Sequence, residues 1–129
     1  MRKSSKIALP LLAGTVLAAC VTAQAKDEAL PSALEAGWMG ERVCTLQHQT
    51  ETHRVLRCTF PPGVGHERHY HPAHYGYALS GGTMQLTSAS GTRTATLETG
   101  SDYSSDGTEW HEVVNVGETT VTYLIVEEL

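Results

Sequence analysis

Four of the chain's seven histidines, His66, His69, His71 and His74, fall within nine residues of one another, between Gly63 and Gly82. Imidazole is the commonest metal ligand among side chains. Such density on a segment of strand-forming residues points to a metal site built on a sheet. His69 and His71 are two residues apart, so on a strand both rings project from the same face. His66 precedes them and reads as a solvated loop histidine, while His48 and His53 flank a turn and read as surface residues. Glu67 and Arg68 read either as a pocket rim or as an exposed ion pair. The chain shows no phosphate-binding loop, no nucleophile–base pair of recognisable spacing and no paired carboxylates of motif quality.

A pair of ligands on one face needs rigid strands on either side of it. Arg54 to Phe60 alternates and stops at Pro61-Pro62-Gly63, because proline has no N–H for the ladder. Tyr75 to Ser80 and Thr83 to Ser88 follow, and Ser90-Gly91 makes a tight turn into Thr92 to Leu97. A short strand after Gly100, then Trp110 to Val116 and Thr119 to Glu127, complete the set. No segment beyond a short turn at Ala33 to Ala36 has apolar residues at helical spacing over three turns. Eight or more short strands in about ninety residues predict an all-β sandwich or barrel, and 129 residues hold one such domain. Tyr77 and Trp110 read as core or pocket wall.

The first twenty-five residues belong to something else. Arg2, Lys3 and Lys6 make a cationic start, and Ile7 to Ala19 is an apolar run too short for a mature membrane helix, which needs about 20 residues, but suited to a secretory leader. Two processing sites compete: Leu17-Ala18-Ala19-Cys20 resembles the bacterial lipobox, with Cys20 lipidated, and Ala23-Gln24-Ala25 is an A-x-A site. Either way the exported part is periplasmic, soluble or lipid-anchored to a membrane at Cys20. Residues 26–40 read as an arm or tether. Loss of Arg2, Lys3 and Lys6 takes the formal charge from −5 to −8, which excludes nucleic acid as a partner.

Export gives the remaining cysteines a meaning. Cys44 and Cys58 lie on two strand-like segments, Glu41 to His48 and His53 to Phe60. In a hairpin with Leu46 opposite Leu56 they face one another at about 4.5–5.5 Å, within disulfide reach. An oxidising compartment favours the bridge; the other reading is two buried thiols.

Two spaced motifs now carry a resemblance. Gly63, His69, His71 and Gly82 stand in the frame G-x5-H-x-H-x3-E-x6-G, and Gly100, His111 and Asn115 stand in G-x5-P-x-G-x2-H-x3-N. Together they resemble the motifs of a small single-domain bacterial cupin. The resemblance implies a jelly-roll β-barrel (double-stranded β-helix) over residues 41–129, with one divalent metal ion, Fe, Mn, Ni or Zn, held inside it by His69, His71 and His111. The departures are Asp106 and Thr108 in the second motif and, above all, Tyr75 in the glutamate slot of the first. That slot leaves three alternatives: a three-histidine site, His74 as fourth ligand after a phase shift at Pro72-Ala73, or Tyr75 as ligand or pocket acid. Glu109 and Glu112 lie on either side of His111 and read as surface residues.

Cupins include dioxygenases, isomerases, lyases and plain binding proteins, so the fold alone selects none of them. The expectation is a metal-dependent enzyme on a small molecule, dioxygenase-like before isomerase or lyase; the alternative is a non-catalytic periplasmic module that binds a metal or ligand. By analogy a homodimer is expected.

Overall fold

The computed structural model of the protein describes residues 29–129. The leader, with Cys20 and both processing sites, lies outside the described residues. The short strands that the alternation predicts are present, and there is no helix among the described residues. They are β1 (Gly37–Trp38), β2 (Glu41–Arg42), β3 (Cys44–Gln49), β4 (His53–Phe60), β5 (Gly65–His71), β6 (His74–Ser80), β7 (Gly82–Ser88), β8 (Gly91–Leu97), β9 (Asp102–Ser105), β10 (Thr108–Asn115) and β11 (Val121–Glu128).

Two sheets face each other. One has the order β5-β10-β7-β8, the other β3-β4-β11-β6-β9. From β4 onward the chain passes between them repeatedly, which makes the jelly roll. Phe60, Leu56, Val121 and Ile125 from one sheet meet Met84 and Val113 from the other in a buried core. Their strands alternate, and burial of their inward side chains, about 1.5–3 kcal/mol each, drives the two faces together.

Cys44 pairs with Cys58 across β3 and β4, with Leu46 opposite Leu56, and the two cysteines are joined by a disulfide with their Cα atoms 4.0 Å apart. The segment Glu41 to His48 is broken at Val43, however. β2 leaves β4 and pairs with β1 instead, as a ribbon that belongs to the N-terminal arm.

From Pro31 onward that arm is docked on the barrel. The Tyr70 N–H donates to the Pro31 carbonyl at 3.1 Å, and Ser32 bridges to Tyr70. Ser32 and Glu35 cap one turn: both the Ser32 N–H and its hydroxyl donate to Glu35, a capping box in miniature. Trp38 lies over Gly65, where a Cβ would overlap both its ring and the Val113 carbonyl.

Two irregularities on the β5–β10 seam shape the interior. Pairing moves from His111↔His69 to Val113↔His66, so β5 has one residue too many there. It also moves from Thr108↔His71 to His111↔His69, so β10 carries an extra residue next to it. Such bulges re-aim side chains, and here they lie beside the histidines.

Candidate metal centre

His69 and His71 point inward from β5, as strand alternation requires, and both are buried. His111 comes from β10, directly opposite His69. Their Nε2 atoms form a near-equilateral triangle: His69 to His71 3.0 Å, His69 to His111 3.0 Å and His71 to His111 3.1 Å. Among the described residues, these three histidines are the group whose donor atoms converge tightly enough to hold a metal ion.

The far side of each ring decides what the near side can do. His69 donates its Nδ1 proton to the Glu67 carbonyl at 2.6 Å, and that carbonyl faces the ring because Glu67 sits in the β5 bulge. His71 donates its Nδ1 proton to Glu127 Oε1 at 2.6 Å. A neutral imidazole carries one proton, so both rings present a bare Nε2 lone pair to the triangle, the form in which histidine binds metals. Burial first, with the neighbouring histidines adding to it, pushes His69 down to about 2 and His111 down to about 3. Both are neutral at physiological pH.

Glu127 was not among the residues that the motifs single out, yet it anchors the site. It is fully buried on β11, directly opposite Arg54 on β4, whose Nε donates to its other oxygen at 2.5 Å. Burial alone would raise its pKa, but the hydrogen bonds from His71 and Arg54 outweigh it and hold the carboxyl below its ordinary value. A signal was present in the sequence: Val121, Tyr123, Ile125 and Glu127 share one face by period two. A carboxylate closing an inward apolar row needs a buried partner.

His66 is a second residue that the sequence reading misplaced. It is not a solvated loop histidine but lies on β5, 2% exposed. The bulge at Glu67-Arg68 inserts one residue, so His66 and His69, three apart, face the same way. Their rings stack at 3.7 Å. Burial pushes His66 down to about 4. Its Nε2 has no hydrogen-bond partner among the described residues.

His74 and Tyr75 compete for the empty glutamate slot in the sequence, and the structure turns the first inward and the second outward. No phase shift occurs within one strand. Pro72-Ala73 carries the chain from the first sheet to the second, and His74 opens β6 facing inward. It is buried, it donates Nδ1 to the Pro72 carbonyl at 2.9 Å, and its ring packs on His71 with centroids 4.6 Å apart. It stays outside the converging triangle of donors. Burial lowers its pKa as well, against the opposing effect of the Pro72 carbonyl. Tyr75, the next residue, must then point outward. It is 42% exposed, and its hydroxyl donates to Asp102 at 3.0 Å. It is not a pocket residue.

Nor is Tyr77, which alternation also puts outside, nor Trp110, whose ring lies under the Arg68 guanidinium at 3.8 Å. Glu67 accepts the Met39 N–H at 2.9 Å and ties down the arm, and it forms no ion pair among the described residues. Asn115, the last residue of the second motif, is a structural clamp: its amide donates to the Phe60 and Thr119 carbonyls at 2.8 and 2.7 Å.

The triangle opens into a cavity of about 360 Å³. Its walls are mainly apolar, with Phe60, Leu86, Val113 and Ile125 among them, and it also reaches Arg93, Tyr103 and Thr108. Tyr103 can lie across β6 because Gly76 has no side chain there; a Cβ would overlap the ring. A small apolar enclosure with a few polar groups is the usual form of a ligand site.

The family model described as Cupin domain matches residues 56–127. No curated protein matches the chain. Among solved structures, a cupin domain from Bordetella pertussis Tohama I is similar with 25% identity and a TM-score of 0.63, over 78% of this chain and 96% of that one. A cupin superfamily protein from Desulfitobacterium hafniense DCB-2 is similar in fold, with 11% identity and a TM-score of 0.53, over 67% of this chain and 75% of that one. A protein from Thermus thermophilus is similar in fold too, with 20% identity and a TM-score of 0.52, over 66% of this chain and 80% of that one. With its jelly roll, its inward histidines and a family match over more than half of its length, this chain belongs to the cupin family.

Proposed function

We propose that this protein is an exported, metal-dependent enzyme that acts on a small molecule in its barrel, dioxygenase-like in type, with isomerase or lyase chemistry as the alternative. The observation that carries the proposal is the fixed tautomer of two ligands. His69 and His71 have both given their Nδ1 protons to outer acceptors, so two lone pairs lie 3.0 Å apart. Lone pairs at that distance repel. His111 can offer a proton to one of them but not to both. A cation in the triangle turns the repulsion into attraction.

A triangle of 3.0–3.1 Å is small enough for one divalent ion to reach all three nitrogens at about 2.1 Å, and an all-nitrogen site suits Fe(II), Mn(II), Ni(II) or Zn(II). Such an ion would supply Lewis acidity and adjacent open positions for substrate and a second reactant. The chain's own residues do the rest. Glu127 and the Glu67 carbonyl fix two rings, the apolar walls exclude water, and His66 offers a buried, neutral ring nitrogen to a ligand's hydrogen bond.

Export is supported by the cationic and apolar leader and by the Cys44–Cys58 disulfide, which fits an oxidising compartment. Palmitate labelling of wild type and Cys20→Ala separates a lipid anchor from cleavage after Ala25, since only a lipoprotein loses label. For the metal, purified protein should carry close to one ion per chain, and His69→Ala with His71→Ala should abolish it. Unchanged metal content in that double variant would refute the site. Oxygen uptake after Fe(II) reconstitution, with thiols, diketones and phenols as substrates, tests the enzyme reading. A fully loaded protein without turnover would leave a binding module.

A further inference from the structure

Three neutral imidazoles bring no negative charge to a divalent ion. The one carboxylate that touches the triad, Glu127, is already matched by Arg54 at 2.5 Å. The glutamate slot of the motif is filled by an outward tyrosine. An ion held here would therefore keep most of its double positive charge within a mainly apolar cavity, where uncompensated charge is costly.

Arg93 adds a further positive charge to the same space. On β8 it shares a face with Ala95 and Leu97 by strand alternation, and all three line the cavity, the two apolar residues half-buried and Arg93 exposed to solvent. The other arginines among the described residues are engaged or turned away. Arg42 donates to the Leu34 carbonyl, Arg54 holds Glu127, Arg68 covers Trp110, and Arg57 is exposed on the outer face of β4. Arg93 forms no ion pair among the described residues. The single acidic residue lining the cavity is Asp102, which accepts the Tyr75 hydroxyl from outside. A second recess, lined by Ser88, Ser90 and Thr92, shares Arg93, Thr108 and His111 with the main cavity, so Arg93 stands between the two.

We propose that the cavity takes a small organic carboxylate, whose acid group pairs with Arg93 while its apolar body lies against Phe60, Leu86 and Val113 and its other end reaches the histidine triad. This rests on the metal reading above and names the substrate class for that site. Arginine suits the task because its planar fork meets a carboxylate with two parallel N–H donors. An anion also supplies the charge that the ligand set leaves out.

The test uses the purified protein loaded with Co(II), whose visible absorbance reports metal uptake independently of ligand binding. Acetate, pyruvate, benzoate and phenylacetate, each beside its neutral amide, are titrated by calorimetry into wild type, Arg93→Gln and Arg93→Lys. At least one acid should bind about tenfold more tightly than its amide, the difference expected for a charge-assisted hydrogen bond. Arg93→Gln should remove that preference and leave the Co(II) spectrum and affinity unchanged, and Arg93→Lys should restore part of it. Acids and amides that bind equally, no binding of any acid, or an acid affinity that Arg93→Gln does not alter would overturn the proposal. If Co(II) is not taken up, the metal reading fails on its own. The same titrations on metal-free protein then decide: an acid affinity that falls in Arg93→Gln keeps the carboxylate site, and its absence overturns that too.

Discussion

Glu127→Gln tests the site through a residue that is not itself one of the three metal-facing histidines. In the native protein one carboxylate accepts two protons, from His71 Nδ1 at 2.6 Å and from Arg54 Nε at 2.5 Å. Glutamine has the same shape but offers one acceptor and one donor. If its oxygen faces Arg54, its NH₂ faces His71, and two donors meet. His71 can relieve this only by moving its proton to Nε2, which removes the lone pair from the metal face. If the amide turns over, the Arg54 guanidinium, largely buried, loses its acceptor instead. The first arrangement should dominate, because an unpaired buried charge costs about 3–5 kcal/mol and an unmatched neutral group about 1–3 kcal/mol. Loss of an outer-shell partner usually weakens metal binding about 10–100-fold, or about 1.4–2.8 kcal/mol. Chelator competition measures the affinity, and the nitrogen-15 shifts of the His71 ring report its tautomer in the metal-free protein. If His71 keeps its proton on Nδ1 and the variant binds metal as tightly as wild type, the tautomer argument is wrong.

His74→Ala and Tyr75→Phe should each leave metal stoichiometry near one per chain, in contrast to His111→Ala, and metal analysis after dialysis checks all three. Replacement of both Cys44 and Cys58 by alanine reopens a loop with a separation of 14 residues. A bridge closing a loop of that size contributes about 3 kcal/mol, so the thermal midpoint should fall by about 12–24 °C for a domain of this size. A fall of only a few degrees would mean that core packing, not the crosslink, holds β3 on β4.

Acid should destabilise the metal-free protein in a defined window. His66, His69 and His111 have folded values of about 4, 2 and 3, below the ordinary 6.5 of the unfolded chain. On acidification the unfolded chain therefore takes up protons first, so stability is complete above pH about 6.5 and is lost as pH falls towards the folded values. With up to three protons involved, the slope approaches about 4 kcal/mol per pH unit. Urea denaturation between pH 7 and 5 measures it, and a flat stability would contradict the burial of the cluster. Glu127, whose folded value is depressed, adds its own loss only at lower pH, as it becomes protonated.

Much of this molecule is legible in local sequence. Period-two alternation gives β4, β7, β8 and β11 nearly to the residue, and the two-residue spacing of His69 and His71 puts both rings on one face without reference to anything distant. The register of a single hairpin places Cys44 opposite Cys58. Those features depend on neighbours along the chain or on one turn, so the chain itself determines them.

What the sequence leaves open depends on relations between strands. His66 turns inward because β5 has one residue more than β10 opposite it, and only the paired strand reveals an extra residue. Pro72-Ala73 carries the chain to the other sheet, and a linear pattern cannot tell such a passage from a phase shift; that passage puts His74 inside and Tyr75 outside. Glu127 lies 56 residues from His71, and nothing but the closing of one sheet over the other brings its carboxylate to that ring. The sequence thus names the family and the donors. Tertiary structure decides which way each donor faces and where its proton sits, because burial and strand pairing, rather than spacing, select among the hydrogen bonds that a histidine can make.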